Sequence, residues 1–183
     1  MRRRVVEEGE ARTGRPWWRE VIGVLAYAAV VVLLIHIFVV GMYRIPSNSM
    51  SPTLEQDDYI LVPLFWYSLP NVEPKRGQVI VFKYPVDPKH DFVKRLIGLP
   101  GDIVEIREGR VFVNNREIAE PYVYNRDNDT RPPVTVPPRH YYFLGDNRPH
   151  SQDSRYWDFV PAGFIRGPAM FRYWPLKRAG LLE

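Results

Sequence analysis

Residues 91–102 read Asp91-Phe92-Val93-Lys94-Arg95-Leu96-Ile97-Gly98-Leu99-Pro100-Gly101-Asp102. From Phe92 to Ile97 the run is rich in branched and aromatic side chains, and the Gly-x-Pro-Gly that follows ends it in a turn. Alternation with period two puts Phe92, Lys94 and Leu96 on one face of a strand and Val93 and Arg95 on the other. A lysine between two large apolar neighbours has two readings. Either it lies on the buried face, where an unpaired ammonium is costly and must find a carboxylate or lose its proton, or it guards a solvent-facing sheet edge.

The same texture extends in both directions. Asp58–Val62, Gln78–Phe82, Ile103–Arg107, Arg110–Val113 and His140–Leu144 also read as strands. Glu108-Gly109 joins two of them as a hairpin turn, and Asn114-Asn115 closes the next. The 18 prolines are scattered, which disfavours long helices and suits short strands joined by turns. Tyr122–Pro138 is polar and then Pro-rich, and reads as a long surface connection. Leu61–Leu69, with Phe65, Trp66 and Tyr67 in a row, is either core or an exposed apolar loop that dips into a bilayer surface. The expectation is a mainly β fold of antiparallel sheets.

One stretch departs from this pattern. Val21–Tyr43 carries no formally charged residue and is mostly aliphatic, long enough for a single transmembrane helix of about 20 residues. Trp17 and Trp18 before it and Tyr43 after it suit the two interfacial belts. Arg2, Arg3, Arg4, Arg12, Arg15 and Arg19 lie ahead of it, against Arg44 immediately behind, so the N-terminus is expected in the cytoplasm and the remainder outside. The run is too long for a cleaved leader, and Gly41–Pro46 offers no small-x-small site. His36 inside it reads as tolerated or as functional. The expected organisation is a cytoplasmic segment 1–20, an anchor 21–43 and an extracytoplasmic β domain 44–183. The chain lacks cysteine, which excludes thiol catalysis, zinc-thiolate sites and disulfides. A formal net charge of +4 without a clustered basic, aromatic surface gives no case for nucleic acid.

Directly after the anchor comes Ile45-Pro46-Ser47-Asn48-Ser49-Met50-Ser51-Pro52-Thr53-Leu54. These serines are a polar loop unless one of them has a base beside it, since a hydroxyl is a weak nucleophile. His36, His90, His140 and His150 have no spacing that points to Ser49; a lysine neutralised by burial is the other available base. A third segment, Gly145-Asp146-Asn147-Arg148-Pro149-His150-Ser151-Gln152-Asp153-Ser154-Arg155, packs hydrogen-bonding groups into a turn after a hydrophobic strand. It is either a support for a catalytic pair or a solvated turn closed by an Asp–Arg pair.

In this order the three segments resemble the boxes of bacterial type I signal peptidases: Ser-x-Ser-Met-x-Pro-Thr-Leu, Lys-Arg-x-x-Gly-x-Pro-Gly-Asp and Gly-Asp-Asn-Arg-x-x-Ser-x-Asp-Ser-Arg. Gly77-Gln78-Val79-Ile80-Val81-Phe82 is similar to a fourth box, with Gln78 where Asp is usual. Pro149-His150 stands where Asp-Asn is common, and Asp158 where Gly is common. The resemblance implies a Ser/Lys serine protease with Ser49 as nucleophile and Lys94 as general base. It further implies an oxyanion hole from the Ser47 hydroxyl and the Ser49 N–H, and a hydrogen bond from Ser151 that aims the lysine amine. Supporting ion pairs would join Asp153 to Arg155 and Asp146 to Arg95. A substrate cleft would run past Met50 and Asp91, Phe92 and Val93. The implied substrates are signal peptides of exported preproteins, cut after small-x-small at the outer face of the bacterial cytoplasmic membrane by a single-pass protein. No metal or cofactor is expected, and nothing demands more than a monomer. Two rivals share the β core: a soluble Ser/Lys repressor-type protease, against which the apolar span argues, and a catalytically silent, membrane-tethered binding module.

Overall fold

The computed structural model describes residues 17–182, apart from the side chains of 34–39, so His36 and the five arginines before Trp17 lie outside the description. The chain divides into two units, Met1–Phe38 and Val39–Glu183. In the first, α1 runs Trp17–Val39. From Trp17 to Leu33 all its side chains but the half-buried Val31 are exposed, Val24 and Leu25 among them. Among the described residues no helix is long and apolar enough to cross a membrane.

The second unit is built from short strands: β1 (Val40–Arg44), β2 (Tyr59–Pro63), β3 (Val79–Lys83), β4 (Asp91–Gly98), β5 (Ile103–Arg107), β6 (Arg110–Val113), β7 (Arg116–Glu117), β8 (Arg131–Thr135) and β9 (His140–Leu144). A one-turn helix α2 (Ser154–Trp157) leads to β10 (Val160–Pro161), β11 (Ile165–Pro168), β12 (Phe171–Trp174) and β13 (Gly180–Leu181). They form antiparallel sheets in the orders β1-β2-β12-β13, β10-β9-β4-β3-β11 and β7-β6-β5-β8.

The middle sheet places the site. β4 has β3 on one side and, from Arg95 onward, β9 on the other; Lys94 is 4% exposed, which excludes the solvent-facing edge-guard reading. β3 is buried on both faces: Val79 and Val81 pack with Ile45, Met50 and Leu54, while Ile80 and Phe82 pack with Leu96 and Phe143. A two-sided strand reads as a continuous apolar run, as Val79–Phe82 does. Another cluster, from Val104, Ile106, Val111 and Val113 to Leu144, joins the third sheet to β9.

The strands expected from the sequence form to within a residue or two, and Glu108, Gly109, Asn114 and Asn115 all have the positive φ that tight hairpin turns require. Two expectations need correction. Val40–Tyr43, assigned to the apolar span, is not helical but pairs with Ile60–Pro63 as β1; β-branched and aromatic residues suit a ladder, and β2 supplies the partner. Tyr122–Pro138, read as a long surface connection with no strand in it, contains β8 paired to β5. Pro132 and Pro133 hid it, and they are tolerated because β8 is an edge strand with one side free of ladder bonds. The aromatic run is divided: Leu64 and Tyr67 pack against the cores, with Tyr67 donating to Gln78 at 3.0 Å, while Phe65 and Leu69 are exposed.

Candidate active site

The serine loop lies between β1 and β2 and is closed at its base by Ile45 N–H to Asp58 O (2.8 Å) and Asp57 N–H to Ile45 O (2.9 Å). Met50 and Leu54, both fully buried, fix its middle, and Leu54 N–H donates to Met50 O. Ser49 thereby comes against β4, where Lys94 Nζ lies 2.7 Å from Ser49 Oγ. Both residues are buried, at 7% and 4% exposure. The amine also reaches Val93 O at 3.2 Å, and Ser47 Oγ lies 3.3 Å from Ser49 Oγ.

Burial dominates the charge state of Lys94. Removal from water pushes its pKa from 10.5 down to about 8, and the carboxylates of Asp153 and Asp146 resist that fall. Each of those carboxylates is held by an arginine. Arg95 grips Asp146 through Nε and Nη2 at 2.9 and 2.7 Å, and Thr53 Oγ1 donates to the same carboxylate at 2.6 Å. Arg155 grips Asp153 at 2.8 and 2.9 Å, while Asp153 accepts from Gly145 N–H at 3.1 Å and caps α2. Both expected ion pairs are present, fully desolvated and two-pronged. Arg95, assigned by alternation to the face opposite Lys94, is as buried as Lys94, because β4 is covered on both sides.

The segment after β9 packs against Ser49. Asn147 N–H donates to Ser49 O at 3.1 Å and its side chain to Asn48 O at 3.0 Å. A Cβ on Gly145 would lie 2.6 Å from Ser49 O, so only glycine permits this approach. Two expected roles are not met by the geometry. Among the described residues Ser151 Oγ is buried without a hydrogen-bond partner, and the lysine amine is held by the Val93 carbonyl and Ser49 instead. Met50 is a core residue and does not line the cleft.

The cleft itself is a cavity of about 370 Å³. Ser47, Ser49 and Lys94 open into it beside an apolar wall of Ile45, Ile60, Val81 and Val93, with Asp91 and Phe92 at one side and His150 and Gln152 at another. Thr53, Asn147 and Arg148 had no role derivable from the sequence; each now has one, as a partner of Asp146, of Ser49 and Asn48, and of Glu120. Glu120 and Asp127 were missed, since nothing local marks these carboxylates as partners of the buried Arg148 and Arg155.

The family profile described as "Signal peptidase, peptidase S26" matches residues 18–174. The chain belongs to this family. Its mechanism is that of a Ser/Lys serine peptidase, so the chain is a hydrolase and the silent binding module is set aside. A probable signal peptidase I-2 of Synechocystis is 40% identical over 90% of this chain and 77% of its own length. A signal peptidase I of Leptolyngbya laminosa is 37% identical over 89% and 83%. A crystal structure of a signal peptidase I from Enterococcus faecalis, 35% identical, superposes with a TM-score of 0.47 over 53% of this chain and 97% of that one.

Proposed function

We propose that this chain removes signal peptides from exported preproteins, with Ser49 as nucleophile and Lys94 as general base. The observation that carries the assignment is the 2.7 Å approach of a buried, unpaired lysine amine to a serine hydroxyl. Deprotonated Lys94 Nζ accepts the Ser49 proton as Oγ attacks the scissile carbonyl carbon. The oxyanion is met by the Ser47 hydroxyl and the Ser49 N–H. The resulting ammonium returns its proton to the departing amine, leaving Ser49 acylated by the signal peptide. Water, deprotonated by the same amine, releases the acid.

The substrate enters as an added strand. β4 is paired to β9 only from Arg95 onward, so Asp91–Lys94 present an unpaired backbone edge to the cavity. The shallow apolar wall admits small side chains and suits a small-x-small preference. Met50 acts behind this wall as packing, and Ser151 Oγ lies buried beside Gly145.

The membrane reading rests on the sequence. Val21–Val39, the helical part of the apolar run, is free of formal charge and is preceded by Trp17, Trp18 and the arginine-rich flank. The exposed apolar side chains of α1 support it, since such a surface needs a non-aqueous environment. The chain is thus a single-pass, monomeric protein of the bacterial cytoplasmic membrane, with residues 1–20 inside and the catalytic domain outside.

Cleavage of a detergent-solubilised preprotein by wild type, Ser49→Ala and Lys94→Ala tests the chemistry. Both variants are expected to fold and to cut nothing. A Lys94→Ala enzyme that still cuts excludes the lysine as base. Alkaline extraction of membranes tests the anchor: the chain stays with the lipid fraction, and release into the supernatant contradicts a span.

A further inference from the structure

Behind the catalytic wall three buried arginines, Arg95, Arg148 and Arg155, lie on β4 and in the segment after β9. A guanidinium has five donors in a fixed fork, and each of these needs acceptors beyond its nearest carboxylate. One short segment, 120–129, reaches all three. Glu120, 4% exposed, pairs with Arg148, 2% exposed. Asp127 Oδ2 accepts from Arg155 Nη1 at 2.6 Å. The Tyr122 ring lies 3.9 Å from the Arg95 guanidinium, and its hydroxyl donates to Glu120 Oε1 at 3.2 Å. Asn125 completes the set, its carbonyl accepting from Arg148 N–H and its amide donating to Asn147 Oδ1 at 3.2 Å.

The segment is itself tied down at a point away from the cleft. Gly109 N–H donates to Asp129 O at 2.9 Å, and Glu108 N–H to Thr130 Oγ1 at 3.1 Å. Asp127 O lies where a Cβ on Gly109 would be, 1.9 Å away, so the hairpin turn and this segment meet backbone to backbone. No residue of 120–129 lines the cavity.

We propose that residues 120–129 are a strap that positions the catalytic pair, with Glu120 as its principal positioning residue; this rests on Ser49 and Lys94 being that pair. The route is short. Glu120 holds Arg148, whose Nε donates to Gly145 O at 3.0 Å, and Gly145 packs on the carbonyl of Ser49. Asn125 steadies Asn147, which hydrogen-bonds the same carbonyl. Without Glu120 a buried guanidinium loses its carboxylate and seeks water, and the segment carrying Gly145 and Asn147 moves with it. Ser49 Oγ then leaves its 2.7 Å approach to Lys94, and water reaches an amine whose low pKa depends on dryness.

The test is single-turnover and steady-state cleavage of a preprotein by the full chain in detergent, as wild type, Glu120→Ala, Glu120→Asp and Asn125→Ala, with thermal unfolding measured in parallel. For folded Glu120→Ala the expected result is a fall in kcat of roughly 10- to 100-fold with KM within about twofold. Its pH–rate midpoint moves alkaline of wild type, and Glu120→Asp restores part of the rate. Asn125 is exposed, so Asn125→Ala keeps its unfolding temperature yet loses roughly threefold in kcat, which preserves the test should Glu120→Ala not fold. Wild-type kcat and pH midpoint in folded Glu120→Ala or in Asn125→Ala overturn the strap while leaving the Ser49–Lys94 reading intact. A wild type that does not cut, or a Ser49→Ala that does, overturns that reading and the strap with it.

Discussion

Lys94 and Arg95 are neighbours on one strand, both cationic side chains with less than 5% of their surface exposed, yet they meet burial in opposite ways. Arg95 faces a carboxylate through two hydrogen bonds and also donates to Thr53 and to the Gly77 carbonyl. Among the described residues Lys94 hydrogen-bonds a hydroxyl and a peptide carbonyl, lies over the Phe92 ring and has no ion pair, and its pKa falls to about 8. The difference follows from chemistry: a guanidinium does not give up its proton in a protein, whereas an ammonium does when dry. Pairing holds the arginine in the wall, and deprotonation leaves the lysine amine in the cleft able to accept a proton, as the proposed mechanism needs. The arginines also matter to the lysine, because Arg95 and Arg155 compensate the two carboxylates that would otherwise hold its proton.

Breaking each partner in turn sharpens this contrast. The largest effect is expected from Lys94→Met, which removes the base and should lower kcat by roughly 10³-fold or more. The same variant should be the more stable protein, by on the order of 1 to 3 kcal/mol at pH 7, because it relieves a desolvated ammonium. The sign has a pH signature. Below about pH 8 Lys94 is protonated in both folded and unfolded chains and the folded state bears the burial cost. Between about pH 8 and 10.5 only the unfolded chain holds the proton, so wild-type stability rises and the gap to Lys94→Met narrows. Urea unfolding of both proteins across that window checks it.

Arg95→Met should do the reverse. It strands a buried Asp146 carboxylate and is expected to cost about 3 to 5 kcal/mol in the same assay. Ser47→Ala, which leaves both cations in place, should lower kcat by roughly 10²- to 10³-fold with little change in unfolding. The smallest effect is expected at Asp158, which ends α2 with φ at +65°, a conformation that suits glycine. Asp158→Gly should raise stability by about 1 kcal/mol with kcat unchanged.

What was legible beforehand follows from the range of the signal. The strands of the middle sheet and the hairpin turns are encoded locally, in Val79–Phe82, Phe92–Ile97 and Glu108-Gly109. The departure at Asp158 was legible only through the resemblance, and its positive φ is a conformation that suits glycine. β8 was hidden because Pro132 and Pro133 argue against a strand until its edge position is known, and β1 because a β-branched, apolar run fits a helix and a strand equally. Ser49, Lys94 and the two Asp–Arg pairs were readable through the resemblance of the motifs. Glu120 and Asp127 were not, since the burial of Glu120 and the Arg155 contact of Asp127 depend on where the chain folds back, and a single sequence carries no local mark of that. Ser151 shows the converse limit: the motif names the residue, while its hydroxyl here meets no hydrogen-bond partner.

The claim on which everything else depends is that Lys94 loses its proton near neutrality, and it can be read directly. In protein labelled with ¹³C at the lysine ε position, the Lys94 resonance is identified by its disappearance in Lys94→Met and followed against pH. A midpoint near 8, matched by the pH dependence of Ser49 acylation, is the expected result. A midpoint above 10, or acylation that rises with pH while the Lys94 resonance does not move, contradicts it.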